Sequence, residues 1–161
     1  MAKKKKDSEQ KRGDRLIATN RKARHDYELL KSYEAGLVLM GSEIKSIRGG
    51  HVNLRDGFIQ ERNGELWLMG VHIAQYAQAS HFGHDDPVRP RKLLLHRKEI
   101  NEILTRIREV GYTSVPTKLY LERGYAKVQI AVARGKKQYD KRSDIAKRDA
   151  QRQIRRALKD R

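Results

Sequence analysis

The 161-residue sequence predicts a mainly β chain: an OB-like antiparallel Greek-key barrel with about three short helices and a disordered basic C-terminal tail. Two predicted hairpins supply most of the strands. The first has Asn63-Gly64 between arms over 54–62 and 65–76, and both turn residues tolerate positive φ. The second covers 113–132, with alternating apolar residues and a turn near Arg123-Gly124. A two-layer α+β sandwich is the alternative fold.

The three helices are predicted from capping residues and apolar spacing. Asn20 can cap a short helix that precedes a strand beginning at Tyr27. A second helix has Ser42 as its predicted N-cap and Gly49 as its left-handed C-terminal residue. The third covers 96–110, where one buried stripe is formed by residues at i, i+3, i+4 and i+7. The members of this stripe are Ile100, Ile103, Leu104 and Ile107.

Positive charge is concentrated at the two ends of the chain. The formal net charge is +17; residues 1–24 hold ten Lys or Arg against three acids, and residues 135–161 hold eleven against four. This segregation predicts a polyanionic partner, and nucleic acid is the first candidate. It also predicts three parts: a disordered basic N-terminal arm over 1–19, a body over 20–134 that is close to neutral and a basic tail over 135–161.

The tail contains many helix-forming residues but little apolar surface. Its aliphatic residues larger than alanine are Ile145, Ile154 and Leu158, which are too few to hold it on a core. An isolated helix of this length is marginal in water. We therefore expect a tail that is disordered in the free protein and becomes helical when a polyanion neutralises its cations. Tyr139 is available there to stack on a base.

Several classes of protein do not fit the composition. The chain has no cysteine, so a disulfide framework, a thiolate nucleophile and a sulfur-based zinc site are excluded. No apolar run reaches transmembrane length, and the basic N-terminus is not followed by an apolar segment. A cytoplasmic protein is therefore expected. No serine–histidine or carboxylate pair has a distinctive spacing, so no catalytic residue is assigned.

The residues alone leave two alternative hypotheses open, a metal-dependent nuclease and a constitutive ribosomal protein. His81, His84 and Asp86 superficially form a metal cluster, which would suit a metal-dependent nuclease. Their spacing matches no defined zinc motif, and a proline-flanked loop is a poor rigid support, so no metal or other cofactor is predicted. A constitutive ribosomal protein would also carry long basic extensions.

Five separated motifs resemble those of one family, the bacterial SsrA-binding proteins, also called small protein B. The motifs occur in the same order within 20–27, 34–36, 41–48, 87–95 and 135–142. The resemblance extends from about residue 18 to the end of the chain. It implies an OB-like body that binds the tRNA-like domain of transfer-messenger RNA and delivers this RNA to stalled ribosomes. The rescue process is called trans-translation.

The same resemblance implies a non-enzymatic adaptor that acts as a monomer and needs no membrane. Its tail would become helical on small-subunit ribosomal RNA, at the decoding centre and in the empty mRNA channel. Elongation factor Tu and alanyl-tRNA synthetase would be indirect partners, reached through the RNA.

Two sets of site residues are predicted from the resemblance and the charges. Glu34 would accept bonds from base or sugar donors or orient a nearby cation, and Lys45 and Arg48 share one helical face. Alternatively, these three side chains form an ordinary solvated surface. The predicted residues that bind transfer-messenger RNA are Asn20, Arg21, Lys22, Arg24, Glu34, Lys45, Arg48, Arg89, Arg91 and Lys92. The predicted ribosome-binding residues of the tail are Lys136, Lys137, Tyr139, Asp140, Lys141, Arg142, Lys147 and Arg148.

Overall fold

The structure is a computed structural model that describes residues 14–78 and 85–159. Within these ranges the chain forms nine strands and four helices. The strands are β1 (Arg15–Thr19), β2 (Tyr27–Leu37), β3 (Val52–Asn53), β4 (Phe58–Arg62), β5 (Glu65–Met69), β6 (His72–Ile73), β7 (Arg91–Leu94), β8 (Tyr112–Glu122) and β9 (Tyr125–Gly135). The helices are α1 (Arg21–Asp26), α2 (Gly41–Arg48), α3 (Arg97–Ile107) and α4 (Gln138–Lys159).

Seven strands form one antiparallel sheet in the order β1-β8-β9-β2-β7-β5-β4, and β3 pairs separately with β6. β4, at one edge, lies against β8, which is next to the other edge. The sheet therefore curls on itself rather than packing as a flat layer. The predicted mainly β, OB-like barrel is confirmed, and the two-layer sandwich is not observed.

Both predicted hairpins have the turns expected from their sequences. Asn63 and Gly64 have φ angles of 53° and 74°, and Arg123 and Gly124 have φ angles of 49° and 84°. Two consecutive positive φ angles define the turn that matches the twist of antiparallel strands. The β4–β5 and β8–β9 pairs close directly on these two-residue loops.

The core lies between the barrel strands and α3. On α3, Ile100, Ile103 and Leu104 are buried and Ile107 packs partly against them, as the spacing predicted. Across from the helix, inward residues alternate along β8 and β9. In the part of the chain described, no helix is long and apolar enough to cross a membrane.

β1 corrects the predicted boundary of the N-terminal arm. The sequence predicted disorder to residue 19, but Arg15–Thr19 pairs with the edge of β8. Ile17 and Ala18 pack partly on the core. The stability of this strand comes from pairing with residues about 100 positions away, which local composition does not report. The rest of the predicted arm, residues 1–13, lies outside the described residues.

The ends of α2 also differ from the prediction. The N-cap is Met40, whose amide donates to the Glu43 carboxylate at 2.8 Å, while Ser42 is buried within the first turn. Gly49 has φ −75°, and the left-handed residue is Gly50 at φ 79°. A carboxylate three residues into the helix supplies the cap bond, so the helix begins before the serine.

α4 makes the tail helical over Gln138–Lys159, the conformation that the sequence predicted for the RNA-bound tail. Asp140 in its first turn and Lys159 in its last suit the helix dipole. Its aliphatic side chains remain exposed, with Leu158 at 69% exposure. Because the helix buries so little apolar surface, coupling of its stability to an RNA partner stays a prediction.

Candidate nucleic-acid interface

The long β2–β9 ladder gives the body two distinct ends. At the hairpin-tip end, the β8–β9 turn of Arg123-Gly124 closes the sheet. At the tail end, Tyr27 pairs with Gly135, immediately before the tail. Glu34 pairs with Gln129 seven residues further along β2. At about 3.3 Å per residue, Glu34 lies roughly 23 Å along the strand from the start of the tail.

Glu34 belongs to a cluster of charged and polar side chains at the hairpin-tip end. Its carboxylate accepts hydrogen bonds from the Tyr120 hydroxyl and, at 2.6 Å, from Lys127 Nζ. Burial, followed by the hydrogen bond to Glu34, raises the pKa of Tyr120, so the phenol stays protonated and donates. Lys127 also pairs with Glu122, and both carboxylates raise the pKa of this lysine. The arrangement supports the predicted role of Glu34 in orienting a cation.

An open groove of about 520 Å³ lies beside this cluster. Arg48 and Lys127 contribute cations to its wall, and Leu94 and Tyr125 contribute apolar surface. Tyr125 is 75% exposed. Lys45 is exposed one turn before Arg48 on α2. An apolar surface with cations at its edge suits a nucleotide, because the base can stack while the phosphates meet the cations.

Arg89 and Arg91 do not extend this surface, contrary to the prediction. Arg91 is fully buried; its Nε donates to Glu43 at 2.8 Å, and its two terminal nitrogens donate to backbone carbonyls at 2.7 and 2.9 Å. Arg89 is largely buried and also donates from Nε to Glu43, at 2.9 Å. Lys92 is half-buried, 3.8 Å from Glu65. The buried Glu43 carboxylate therefore accepts hydrogen bonds from arginine nitrogens that would otherwise be available to RNA.

Glu43 is the residue that the sequence reasoning missed. Burial alone raises the pKa of this carboxyl, but hydrogen bonds from Arg89, the Met40 amide and Arg91 outweigh burial and hold its pKa below the usual range. Burial lowers the pKa of Arg91, which Glu43 partly offsets; a guanidinium nevertheless stays charged. A usable signal was present, since Glu43 lies four residues before the buried Ile47 and so shares its helix face.

Asn20 is buried and makes all its side-chain hydrogen bonds within the protein. Its Nδ2 donates to the carbonyls of Leu54 at 2.9 Å and Pro116 at 3.0 Å. Its Oδ1 accepts from the Ala23 amide at 3.0 Å, which confirms the predicted helix cap. This placement corrects the prediction of a direct RNA contact: Asn20 fixes α1 to the barrel.

α1 holds its cations at the tail end, away from Glu34. Arg21 and Arg24 are exposed, and Lys22 forms a 3.0 Å ion pair with Asp56. α1 leads directly into Tyr27, the β2 residue paired with the start of the tail. The ten predicted residues for transfer-messenger RNA therefore do not form one surface. Glu34 lies toward the hairpin-tip end and the α1 cations lie at the tail end, while Arg91 is fully buried and Arg89 is partly buried against Glu43.

The start of the tail is joined to α1 by several polar contacts. The Lys136 amide donates to the Asp26 carbonyl at 2.9 Å, and Lys136 Nζ contacts both the Arg24 carbonyl at 3.2 Å and the Asp144 carboxylate. Lys141 lies 3.7 Å from the Asp26 carboxylate. These contacts orient the first turns of α4 relative to the body, so Lys136 and Lys141 serve the junction.

The remaining predicted tail residues are on the outside of α4 or just before it. Tyr139 belongs to α4, but its side chain lies outside what the structure describes. The exposed members of the predicted set are Lys137, Asp140, Arg142, Lys147 and Arg148.

The candidate metal cluster receives no support within the described residues, where no group of three or more histidine or acidic side chains is placed to hold a metal ion. His81 and His84 lie outside the described residues. Asp86 is exposed and accepts a hydrogen bond from the Val88 amide at 2.9 Å, as in a local turn.

The family model described as SmpB protein matches residues 17–160. The chain belongs to the SmpB family. The SsrA-binding protein of Roseiflexus castenholzii is 59% identical over 148 residues, covering 92% of this chain and 94% of that relative. The SsrA-binding protein of Enterococcus faecalis is 57% identical over 145 residues, covering 90% and 94%.

The SmpB family is also represented among solved structures. A structure described as "tmRNA-SmpB: a journey to the center of the bacterial ribosome" matches with a TM-score of 0.64 and 48% sequence identity. The match covers 76% of this chain and 85% of the other. At this identity the two chains share the barrel fold and belong to the same family. The resemblance to SsrA-binding proteins drawn from the five motifs is confirmed. Residues 1–16 lie outside the family match.

Proposed function

We propose that this chain binds the tRNA-like domain of transfer-messenger RNA and delivers it to stalled ribosomes for trans-translation. The observation that carries this proposal is the SmpB family match over residues 17–160. The solved structure of SmpB with tmRNA, 48% identical to this chain, supports the same partners. The chain acts as an adaptor, because its contribution is to hold two RNAs in a fixed relation rather than to change a covalent bond.

The hairpin-tip end is the surface proposed for transfer-messenger RNA. Glu34 holds Lys127 beside the groove, and Arg48 faces the same groove from α2. Tyr125 offers an exposed ring to an unpaired base, and stacking of this kind contributes about 1–3 kcal/mol per base. The cations position the backbone of the RNA, while Glu34 and the aromatic ring meet base or sugar groups.

The tail end is the surface proposed for the ribosome. Most side chains of α4 are exposed, and the arginines and lysines on it have few acidic partners. A cationic helix of this kind binds RNA phosphates and releases their counterions. The junction at Asp26 and Lys136 attaches α4 to the tail end, where Tyr27 pairs with Gly135. The surfaces proposed for the two RNAs are therefore separate.

Ending the chain after Gly135 tests this division. The shortened protein should bind the tRNA-like domain with an affinity within about tenfold of the full chain, a difference below about 1.4 kcal/mol. It should give no peptide tagging in a reconstituted translation reaction with a message that lacks a stop codon. A much larger loss of RNA affinity would contradict the division between the ends. The full chain in the same reactions is the control.

Sedimentation distinguishes a rescue factor from a constitutive ribosomal protein. The full chain should sediment mainly with stalled ribosomes and should leave the subunits in high salt, since its phosphate contacts are screened. If the chain stays on free subunits in high salt, the result would favour the hypothesis of a constitutive ribosomal protein.

A further inference from the structure

The groove beside the Glu34 cluster has walls from two segments that are distant in sequence. Met40, Ile44 and Arg48 line it from α2 and its N-cap, and we call these three residues the α2 wall. Leu94 lines the groove from the end of β7, a strand of the main sheet that pairs with β2. α2 is not part of that sheet, so the width of the groove depends on what fixes α2 relative to β7.

The C-terminal half of α2 is fixed by packing and by a hydrogen bond. Ile47 is fully buried in the core, and the Ser46 hydroxyl donates to the Ala74 carbonyl at 2.6 Å. Both contacts lie away from Met40, where the helix begins. An attachment at the N-terminal end is needed to keep the α2 wall in one place.

Glu43 supplies an attachment at that end. Its Oε1 accepts a hydrogen bond from Nε of Arg91 at 2.8 Å, and Arg91 is the first residue of β7. Its Oε2 accepts from the Met40 amide at 2.8 Å. One carboxylate therefore joins the residue that begins the α2 wall to the strand that carries Leu94.

The attachment is stiff because its members are buried and bonded on several sides. The side chains of Glu43 and Arg91 are 0% exposed. The terminal nitrogens of Arg91 donate to the Val71 and Pro87 carbonyls at 2.7 and 2.9 Å, and Nε of Arg89 donates to Glu43 at 2.9 Å. A planar guanidinium bonded at each nitrogen is held in one orientation, and a buried polar network of this kind is rigid. The groove itself is lined by other residues, so these charges lie behind its wall.

We propose that Glu43 is a positioning residue for RNA binding, which holds the α2 wall at the distance from β7 that a nucleotide of the structured RNA requires. This inference rests on the proposed function. A groove that is already formed binds more tightly than one that must be ordered as the ligand enters. Glu43 therefore raises RNA affinity through Met40 and Arg91, without touching the RNA.

The test compares Glu43→Gln with the parent in the full chain, at a temperature where circular dichroism shows both proteins to be folded. Glutamine has the size of glutamate, but it leaves Arg91 without its buried counter-charge and cannot accept from every donor, so the α2 wall loosens. Each long side chain that must be ordered on binding lowers affinity by about 2–10-fold. Ordering two of them, Met40 and Arg48, should weaken binding of the purified tRNA-like domain by about 5–100-fold.

The direction of this effect separates geometry from charge. On charge alone, the loss of a carboxylate would strengthen binding to a polyanion. A folded Glu43→Gln protein that binds more weakly has therefore lost the shape of the groove. An affinity within about twofold of the parent, or a higher one, would overturn the proposal.

Arg89→Gln is a milder variant that keeps the proposal testable if Glu43→Gln does not fold. It removes a largely buried partner of Glu43 and leaves the buried pair with Arg91 in place. We expect about 2–10-fold weaker binding with the parental slope of log affinity against log salt. A direct phosphate contact by Arg89 would instead lower this slope by about 0.7–0.9, and that result would contradict a positioning role.

Ile103→Ala is the matched control for lost stability. Ile103 is fully buried on α3, which does not line the groove, and its truncation destabilises a fold about as much as breaking a buried ion pair. The folded control should bind the tRNA-like domain within about twofold of the parent. A loss in the control equal to that of Glu43→Gln would overturn the proposal. If the parent itself did not bind this RNA, the proposed function would fail instead.

Discussion

Replacing Glu43 with glutamine tests whether the buried carboxylate organises the loop before β7. Oε1 accepts from Nε of Arg89 and Nε of Arg91, and Oε2 accepts from the Met40 amide and from Arg89. In Glu43→Gln, the amide nitrogen must face donors on one side, so hydrogen bonds are lost and the buried Arg91 has no counter-charge. Removing one partner of a buried ion pair costs about 3–5 kcal/mol.

The loss should be visible in chemical and thermal unfolding followed by circular dichroism. For a chain of this size each kcal/mol corresponds to about 2–4 °C, so the melting temperature should fall by about 6–20 °C. Glu61→Gln is the matched control, since Glu61 pairs with an exposed part of Arg108, and it should change the melting temperature little. A fall below about 2 °C in Glu43→Gln would refute the reasoning.

Two further predictions follow from buried polar groups. Since the folded-state pKa of Glu43 is depressed, its stabilisation is present above the unfolded value of about 4.3 and is lost as pH falls through the lower folded-state pKa. The stability difference between the parent and Glu43→Gln, measured in urea from neutral to acidic pH, should therefore shrink below about pH 4, and a constant difference would contradict this assignment. Asn20→Ala removes a helix cap and the two buried hydrogen bonds that Nδ2 donates to the Leu54 and Pro116 carbonyls, which should cost at least about 2 kcal/mol in urea unfolding. The folded Asn20→Ala protein should bind the tRNA-like domain nearly as the parent does, and a large affinity loss without a stability loss would restore the direct contact.

The parts of the fold that were predictable have short-range signals. Asn63-Gly64 and Arg123-Gly124 specify two-residue turns by their backbone preferences, and the turns fix the register of both hairpins. The apolar stripe of α3 follows from helical spacing alone. These elements needed no knowledge of distant residues, and the barrel follows from combining them.

The errors arise where distant residues decide the outcome. Arg15–Thr19 forms a strand because the edge of β8 provides backbone hydrogen-bond partners. The residues of the segment itself carry no signal from which this pairing could be predicted. From the sequence, Arg91 is expected to be a surface cation. In the fold it is buried, because it pairs with the carboxylate of Glu43, 48 positions away. Asn20 was correctly predicted as a cap, but its contacts with Leu54 and Pro116 depend on chain segments that only the fold brings together.

The family resemblance identified the partners more reliably than it identified the contacts. The match with SmpB proteins extends over residues 17–160. The ten residues nominated for RNA binding nevertheless do not form one surface: some lie toward the hairpin-tip end and some on α1, and Asn20 and Arg91 are buried. A residue important for binding can act by holding others, as Asn20 holds α1.

The chain has no cysteine, so a single introduced cysteine can carry a cleavage reagent to one known place. Arg123→Cys would place the reagent at the hairpin-tip end, and Arg152→Cys would place it on α4. On stalled ribosomes loaded with transfer-messenger RNA, the reagent at 123 should cut the tRNA-like domain and the reagent at 152 should cut small-subunit ribosomal RNA. Cuts in the tRNA-like domain from position 152, with none from position 123, would contradict the assignment of the two ends.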